Sequence, residues 1–216
     1  MNKLVTITLA FLIILAALGY YFYFQKTEKI EETMINEYPV QSDAQASLGM
    51  AKSLEASSEG IEALRTSGKS YLNPQGLFSF LYPKDYIQDL QGEKIVRIYK
   101  KGPTQKGQTE MYDGVILTLE PITIDKDLNS WVEDYIHNQT QDGTSQLVEE
   151  KSELSINNYP GYTFKLRGLG ESEYYVLQKD TASKNALVIT MMVADPTKQG
   201  FQEEVNNIIS TIQLLK

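Results

Sequence analysis

The 216-residue chain has no cysteine and a single histidine, His137. Missing sulfur excludes a disulfide scaffold, a thiolate zinc site, an iron–sulfur cluster and a cysteine nucleophile. One histidine cannot build a histidine-based metal site. Basic residues are outnumbered, 20 Lys+Arg against 28 Asp+Glu, for a formal net charge of −8. That balance argues against nucleic acid as a partner, because phosphate binding needs a basic surface. Glycine patterning is sparse too: there is no Gly-x-Ser-x-Gly elbow, and Gly168-Leu169-Gly170 lacks the remaining glycine of a nucleotide loop and reads as a hairpin turn. The 42% hydrophobic share is enough for a core, so the chain is not globally disordered.

Much of that apolar content sits at the start. No charge interrupts Leu4 to Phe24, which ends in Tyr20-Tyr21-Phe22-Tyr23-Phe24. As a helix these residues span roughly 31 Å at ~1.5 Å per residue, the thickness of a bilayer core. The terminal aromatics have the character of an interfacial belt. The leading expectation is an uncleaved signal anchor over 1–24. A cleaved signal peptide, using Ala17-Leu18-Gly19, is the alternative; a core helix fits poorly because the run is apolar all round. No cysteine follows to carry a lipid, and no prepilin pattern is present. Lys3 precedes the run, and Lys26 and Lys29 follow it, so the basic count is nearly balanced. The short basic start favours an inside N-terminus with the bulk of the chain outside. The sequon Asn138-Gln139-Thr140 is compatible with export.

From 25 to 75 the chain is rich in Ser, Ala, Glu and Gln. The expected reading is a polar, partly helical linker, with a partner-binding amphipathic helix as the other possibility. Within it Leu48, Ala51, Leu54, Ile61 and Leu64 form a thin stripe that Glu59-Gly60 interrupts and Thr66-Ser67-Gly68 ends. Domain signals occupy 76–216. Strands are predicted at Phe78–Pro83, Lys94–Lys100, Val115–Pro121, Gln146–Leu154, Tyr162–Arg167, Glu173–Gln178 and Ala186–Ala194. Tyr162–Arg167 alternates strictly, implying one buried and one wet face, whereas Leu187–Val193 is apolar on both and reads as central. Asp127 caps a predicted helix carrying Leu128, Trp131, Val132, Tyr135 and Ile136 on one face. A last helix, about 198–214, turns Phe201, Val205, Ile208, Ile209 and Ile212 inward. Short connections make this an α+β fold, a largely antiparallel sheet with helices on its faces.

Phe78-x-Phe80-x-Tyr82-Pro83-x-x-Tyr86, Tyr159-Pro160-Gly161-Tyr162-x-Phe164 and the closing Ile208-Ile209-Ser210-Thr211-Ile212 resemble corresponding stretches of PsbP-like domains. The resemblance covers roughly 77–216 and implies an α-β-α sandwich. That family includes an extrinsic photosystem II subunit and membrane-anchored bacterial relatives without that role. No functional residue is carried over.

Candidate chemistry is thin. Asp125-Lys126-Asp127-Leu128-Asn129 opens like a calcium loop, but Ser130 stands where glycine is needed and Ile136 where the bidentate glutamate belongs. Helix capping explains the same residues. His137 lies at a helix end without a positioned nucleophile. The pairs Glu133-Asp134, Glu149-Glu150 and Glu203-Glu204 project in diverging directions. The 14 tyrosines could furnish a recognition surface, although Tyr135 and Tyr162 fall on core faces, and Trp131 reads as core. No catalytic, cofactor-binding or metal-binding residue is assigned, and no cofactor is expected. The expected protein is a single-pass, membrane-tethered extracytoplasmic module, non-catalytic, binding an envelope protein. The alternatives are a metal-assisted hydrolase using clustered Asp/Glu, a secreted protein with a cleaved signal, and a structural or stress-related envelope protein.

Overall fold

The computed structural model describes residues 54–92, 94–107 and 110–215, all within one of the two compact units into which the chain divides, Leu48–Lys216. The expected anchor, 1–24, and the linker as far as residue 53 lie outside the described residues. The elements run α1 (Ser58–Ser67), β1 (Lys69–Leu72), β2 (Phe78–Tyr82), β3 (Ile87–Gln91), β4 (Ile95–Lys101), β5 (Gly114–Thr123), α2 (Leu128–Thr140), β6 (Gln146–Ile156), β7 (Tyr159–Arg167), β8 (Glu171–Gln178), β9 (Asn185–Ala194), α3 (Phe201–Ile209) and β10 (Gln213–Leu214). Seven strands form one antiparallel sheet in the order β3-β4-β5-β9-β8-β7-β6, and β1-β2-β10 form a smaller one. The fold is α+β and mostly antiparallel, as the short connections predict.

Alternation of side chains puts the two faces of the large sheet against different neighbours. Val96, Ile98, Val115, Leu117, Leu119, Leu187, Ile189 and Met191 point to one side, joining α3 and the aromatic side chains of the small sheet in the main core. Phe164, Leu166, Val176, Ala186 and Val188 point to the other side, where α2 covers them with Leu128 and Val132. β9 lies mid-sheet, which is why Ala186–Ile189 is buried on both faces. The Phe78-x-Phe80-x-Tyr82 stretch supplies an aromatic ladder: ring centroids lie 6.3 Å apart for Phe78–Phe80 and 5.7 Å for Phe80–Tyr82. Its role in this fold is packing.

Several boundaries differ from the sequence expectation. The boundary at 76 falls between β1 and β2, because α1 and β1, both within the stretch read as linker, bury Leu64 and Tyr71 in the main core. Gly60 does not interrupt the helix. It lies in the first turn of α1, where a Cβ would sit 2.0 Å from Asn207 Nδ2, so its missing side chain lets α1 approach α3. Asn207 and Asn206 then hold the helix start: Ser57 N–H donates to Asn207 Oδ1 (2.8 Å), and Asn206 Nδ2 donates to Glu55 O (2.9 Å). The last helix is shorter than 198–214. Asp195 accepts from the N–H groups of Gln199 (2.7 Å) and Gly200 (2.8 Å), with Lys198 and Gly200 at positive φ, so 195–200 is a capping turn. Beyond Ile209 the chain leaves the helix to pair with β2, and Thr211 Oγ1 accepts Leu81 N–H (2.9 Å). Strand β7 is not simply half wet: Gly161 and Thr163 are buried opposite Phe164, because the main core extends beneath them. Short β3 and β10 carry too few apolar residues to announce themselves.

The close approach at Gly60 makes a testable demand. Gly60→Ala should destabilise the protein by about 1–3 kcal/mol, the usual cost of overpacking. The penalty should shrink in an Asn207→Ala background, where the nearest obstructing atoms are gone. Urea midpoints of the two single variants and the double variant decide it; equal penalties in both backgrounds would contradict the packing account.

Candidate functional site

Each chemical candidate has a structural occupation. Asp127 Oδ1 accepts Ser130 N–H (2.9 Å) as the α2 cap, and that bond holds its carboxyl below the usual range. Lys126 pairs with Asp134, while Lys151 binds Glu133 (2.6 Å) and Asn129. The calcium-like stretch is thereby tied into the helix start. Glu149 pairs with Lys165 at 2.6 Å, and Glu203 stands exposed in the first turn of α3. The three carboxylate pairs are thus directed to separate cations or to solvent. Among the described residues no group of three or more His, Asp or Glu is placed to share a metal ion. His137 is exposed in the last turn of α2, where its carbonyl accepts Gln141 N–H (2.9 Å).

Two polar clusters, one partly buried and one fully so, tie elements together. Glu204 on α3 receives the Tyr86 hydroxyl (3.0 Å) and Lys100 Nζ (2.8 Å), and Lys100 also meets Asp85 at 2.9 Å. Burial first, then the charge and hydrogen bond of Glu204, push the Tyr86 phenol far above its ordinary value. Burial pulls the Lys100 ammonium down, but the hydrogen bonds and charges of Glu204 and Asp85 outweigh it and leave it raised. The second cluster centres on Asp113, which is fully buried. It accepts from Thr104 N–H (2.8 Å), the Thr104 hydroxyl (2.6 Å) and Gln199 Nε2 (3.0 Å). This latch joins the β4–β5 loop to the turn before α3, with Gly102 pressed against the carboxylate.

Among the described residues, the α2 side of the large sheet is only half covered. Helix α2 lies over β6 and β7 and shares its apolar cluster with side chains of β8 and β9; Trp131 stacks on Tyr135, and Tyr135 packs on Phe164 and Tyr174. Burial pushes the Tyr135 phenol up to about 12, with smaller contributions from Tyr174 and Glu120. Beyond the helix, strand register aligns an apolar row across four strands: Ile87 opposite Tyr99, Tyr99 opposite Ile116, Ile116 opposite Met192. Directly opposed residues share a face, so the row is continuous. Ile87 is 51% exposed, and the other three are half-buried without joining either core.

Two neighbours extend this row. A Cβ on Gly170 would stand 2.9 Å from Met192 Cε, which brings the β7–β8 hairpin, with Leu169 wholly exposed at 106%, to one end. Met111 Sδ similarly lies over Gly114, beside Ile116. The next row, Asp89–Arg97–Thr118–Thr190, is polar and borders the apolar one, Arg97 and Asp89 standing 3.9 Å apart. An apolar strip with a polar margin is the anatomy of a recognition surface, and thioethers let it adapt to its partner. Sequence reasoning missed this row. The available signal was apolar character on both faces of Lys94–Lys100 and Leu187–Val193, with too few predicted helices to cover both sides.

No family model matches the chain, and no curated protein does. Several solved structures are similar in fold. A protein of Bacteroides thetaiotaomicron shares 14% identity over 70% of this chain and 50% of its own, TM-score 0.40; this chain spans about half the length of that protein. The cyanobacterial PsbP (CyanoP) of Synechocystis shares 14% identity over 68% of this chain and 92% of its own, TM-score 0.47. The Ran-binding protein Mog1p of Saccharomyces cerevisiae shares 11% identity over 69% and 96%, TM-score 0.46. At these identities the likeness concerns fold alone.

The Tyr86 cluster predicts an alkaline signature. A phenol whose folded value lies above its unfolded value of about 10 stabilises fully below that pH, and the contribution fades as pH rises towards the folded value. Tyr86→Phe should therefore cost about 1 kcal/mol near neutrality through the lost hydrogen bond to Glu204. The gap from the parent protein should close as pH rises above about 10. Urea unfolding of both proteins from neutral pH upward measures it; a gap independent of pH would contradict a protected phenol.

Proposed function

We propose that this chain is a single-pass, membrane-tethered protein whose folded unit binds a protein partner on the extracytoplasmic side, as an assembly module without catalysis. The observation that carries the binding reading is the apolar row Ile87–Tyr99–Ile116–Met192, continuous across four strands and left open beside α2. A rigid sheet surface of this kind loses little side-chain freedom on association, so its burial contributes directly to affinity. The partner is an envelope protein that presents a complementary apolar strip. Leu4–Phe24, long enough to cross a bilayer and free of charge, supports the tether; the short basic start supports the orientation.

A photoreactive residue at position 116 in the full-length, membrane-resident protein should give one dominant cross-linked product, and the same residue at the exposed turn position 181 should not. Tyr99→Glu should lose capture of that product while unfolding free energy stays within about 1 kcal/mol, because the side chain belongs to neither core. Absence of a discrete product at 116, or an equal product at 181, would overturn the partner face. For the orientation, protease added to intact cells should degrade the folded unit; complete protection there, with digestion after lysis, would reverse the assignment.

A further inference from the structure

A recess lies above the outer face of β1-β2-β10, away from the apolar row. It encloses about 480 Å³, within the range of pockets that take small ligands. Its wall is polar and incompletely paired. The side chains of Ser70, Ser79 and Gln213 line it, and none of the three hydrogen-bonds to a described residue. Ser79 and Gln213 are opposite in register, so a hydroxyl and a carboxamide stand side by side. Arg65 reaches in from α1, held only loosely by Glu62 at 3.6 Å, which leaves most of its donor fork available. Between these polar groups, Ile61, Leu81 and Tyr159 present apolar surface.

The recess is also rigid. The Asn157 carboxamide donates to Ser210 O (2.8 Å) and Ile212 O (2.9 Å), which fixes the β6–β7 turn as one wall. Thr211 Oγ1 accepts Leu81 N–H, which fixes the floor. Among the described residues that line the recess there is no carboxylate to hold a cation. Its single guanidinium has Glu62 beside it, so it is a weak anchor for an anion.

We propose that this recess binds a neutral oligosaccharide. Hydroxyl and amide groups would exchange hydrogen bonds with the sugar hydroxyls, Arg65 would supply a planar fork, and the ring C–H faces would rest on Leu81, Ile61 and the Tyr159 ring. The site is separate from the apolar row, so its failure leaves the partner reading intact and the reverse also holds.

The test is calorimetric titration of the full-length protein with N,N′-diacetylchitobiose, cellobiose and maltose, with the tripeptide Gly-Ser-Gly as a competitor. At least one disaccharide should bind. Preference for the first assigns an amino-sugar polymer; preference for either of the others assigns a glucan. Arg65→Ala and Gln213→Ala, both at exposed positions, should each weaken binding about tenfold, as loss of one hydrogen-bonding group requires. Ser79→Trp should abolish it by filling the recess. Binding of none of the three sugars, binding indifferent to both Arg65 and Gln213, or displacement by the tripeptide as readily as by sugar would each overturn the proposal.

Discussion

Burial of α3 is the constraint on which most of the architecture depends. Phe201, Val205, Ile208 and Ile209 are almost wholly withdrawn from solvent, each contributing about 1.5–3 kcal/mol relative to an exposed side chain. They occupy the space between the large sheet and the aromatic ladder of the small one, so neither sheet has a complete core without them. Two further sides of the helix are engaged. Asn206 and Asn207 hold the start of α1, and Glu204 receives Tyr86 and Lys100. A single helix of nine residues thus sets the spacing of two sheets, a second helix and the β2–β3 turn.

The fold was legible where one residue type settles one question. Asp127 announces a helix start because its carboxylate matches the free N–H groups, and Leu187–Val193 announces a central strand because both of its faces are apolar. Reading failed where the deciding partner is distant in sequence. Gly60 marks a break when only its neighbours are considered, and a close helix contact once Asn207 is opposite it. Ser210 and Thr211 look like the continuation of a helix until β2 offers the backbone another partner. The apolar row was illegible for the same reason: Ile87, Tyr99, Ile116 and Met192 lie on four strands, and strand order and register alone bring them together.

The large sheet therefore divides its labour unevenly. One face is largely committed to the main core, with Leu90 at its β3 margin left exposed, while the other is shared between α2 and surface that no described residue covers. The polar clusters of Tyr86 and Asp113 serve cohesion, each joining segments far apart in the chain. Among the described residues cohesion leaves two surfaces unused, the apolar strip beside α2 and the recess outside the small sheet, and the proposed binding rests on these. The strip belongs to the large sheet and the recess chiefly to the small one, so the two proposed sites share no lining residue.

The ends of that sheet are unlike each other. Strand β6 carries Glu149, Glu150, Lys151 and Glu153, and its register shifts between Leu147 and Glu149 and again between Glu149 and Ser152. Such an edge resists the addition of another strand. Strand β3, at the opposite end, is short and regular in register, and Asp89 is its one charged residue. Among the described residues, lateral growth of the large sheet is thus opposed at β6 and unopposed at β3. A pairing of one β3 edge with the β3 edge of a second copy would be isologous, joining the two around a twofold axis and closing on a finite pair.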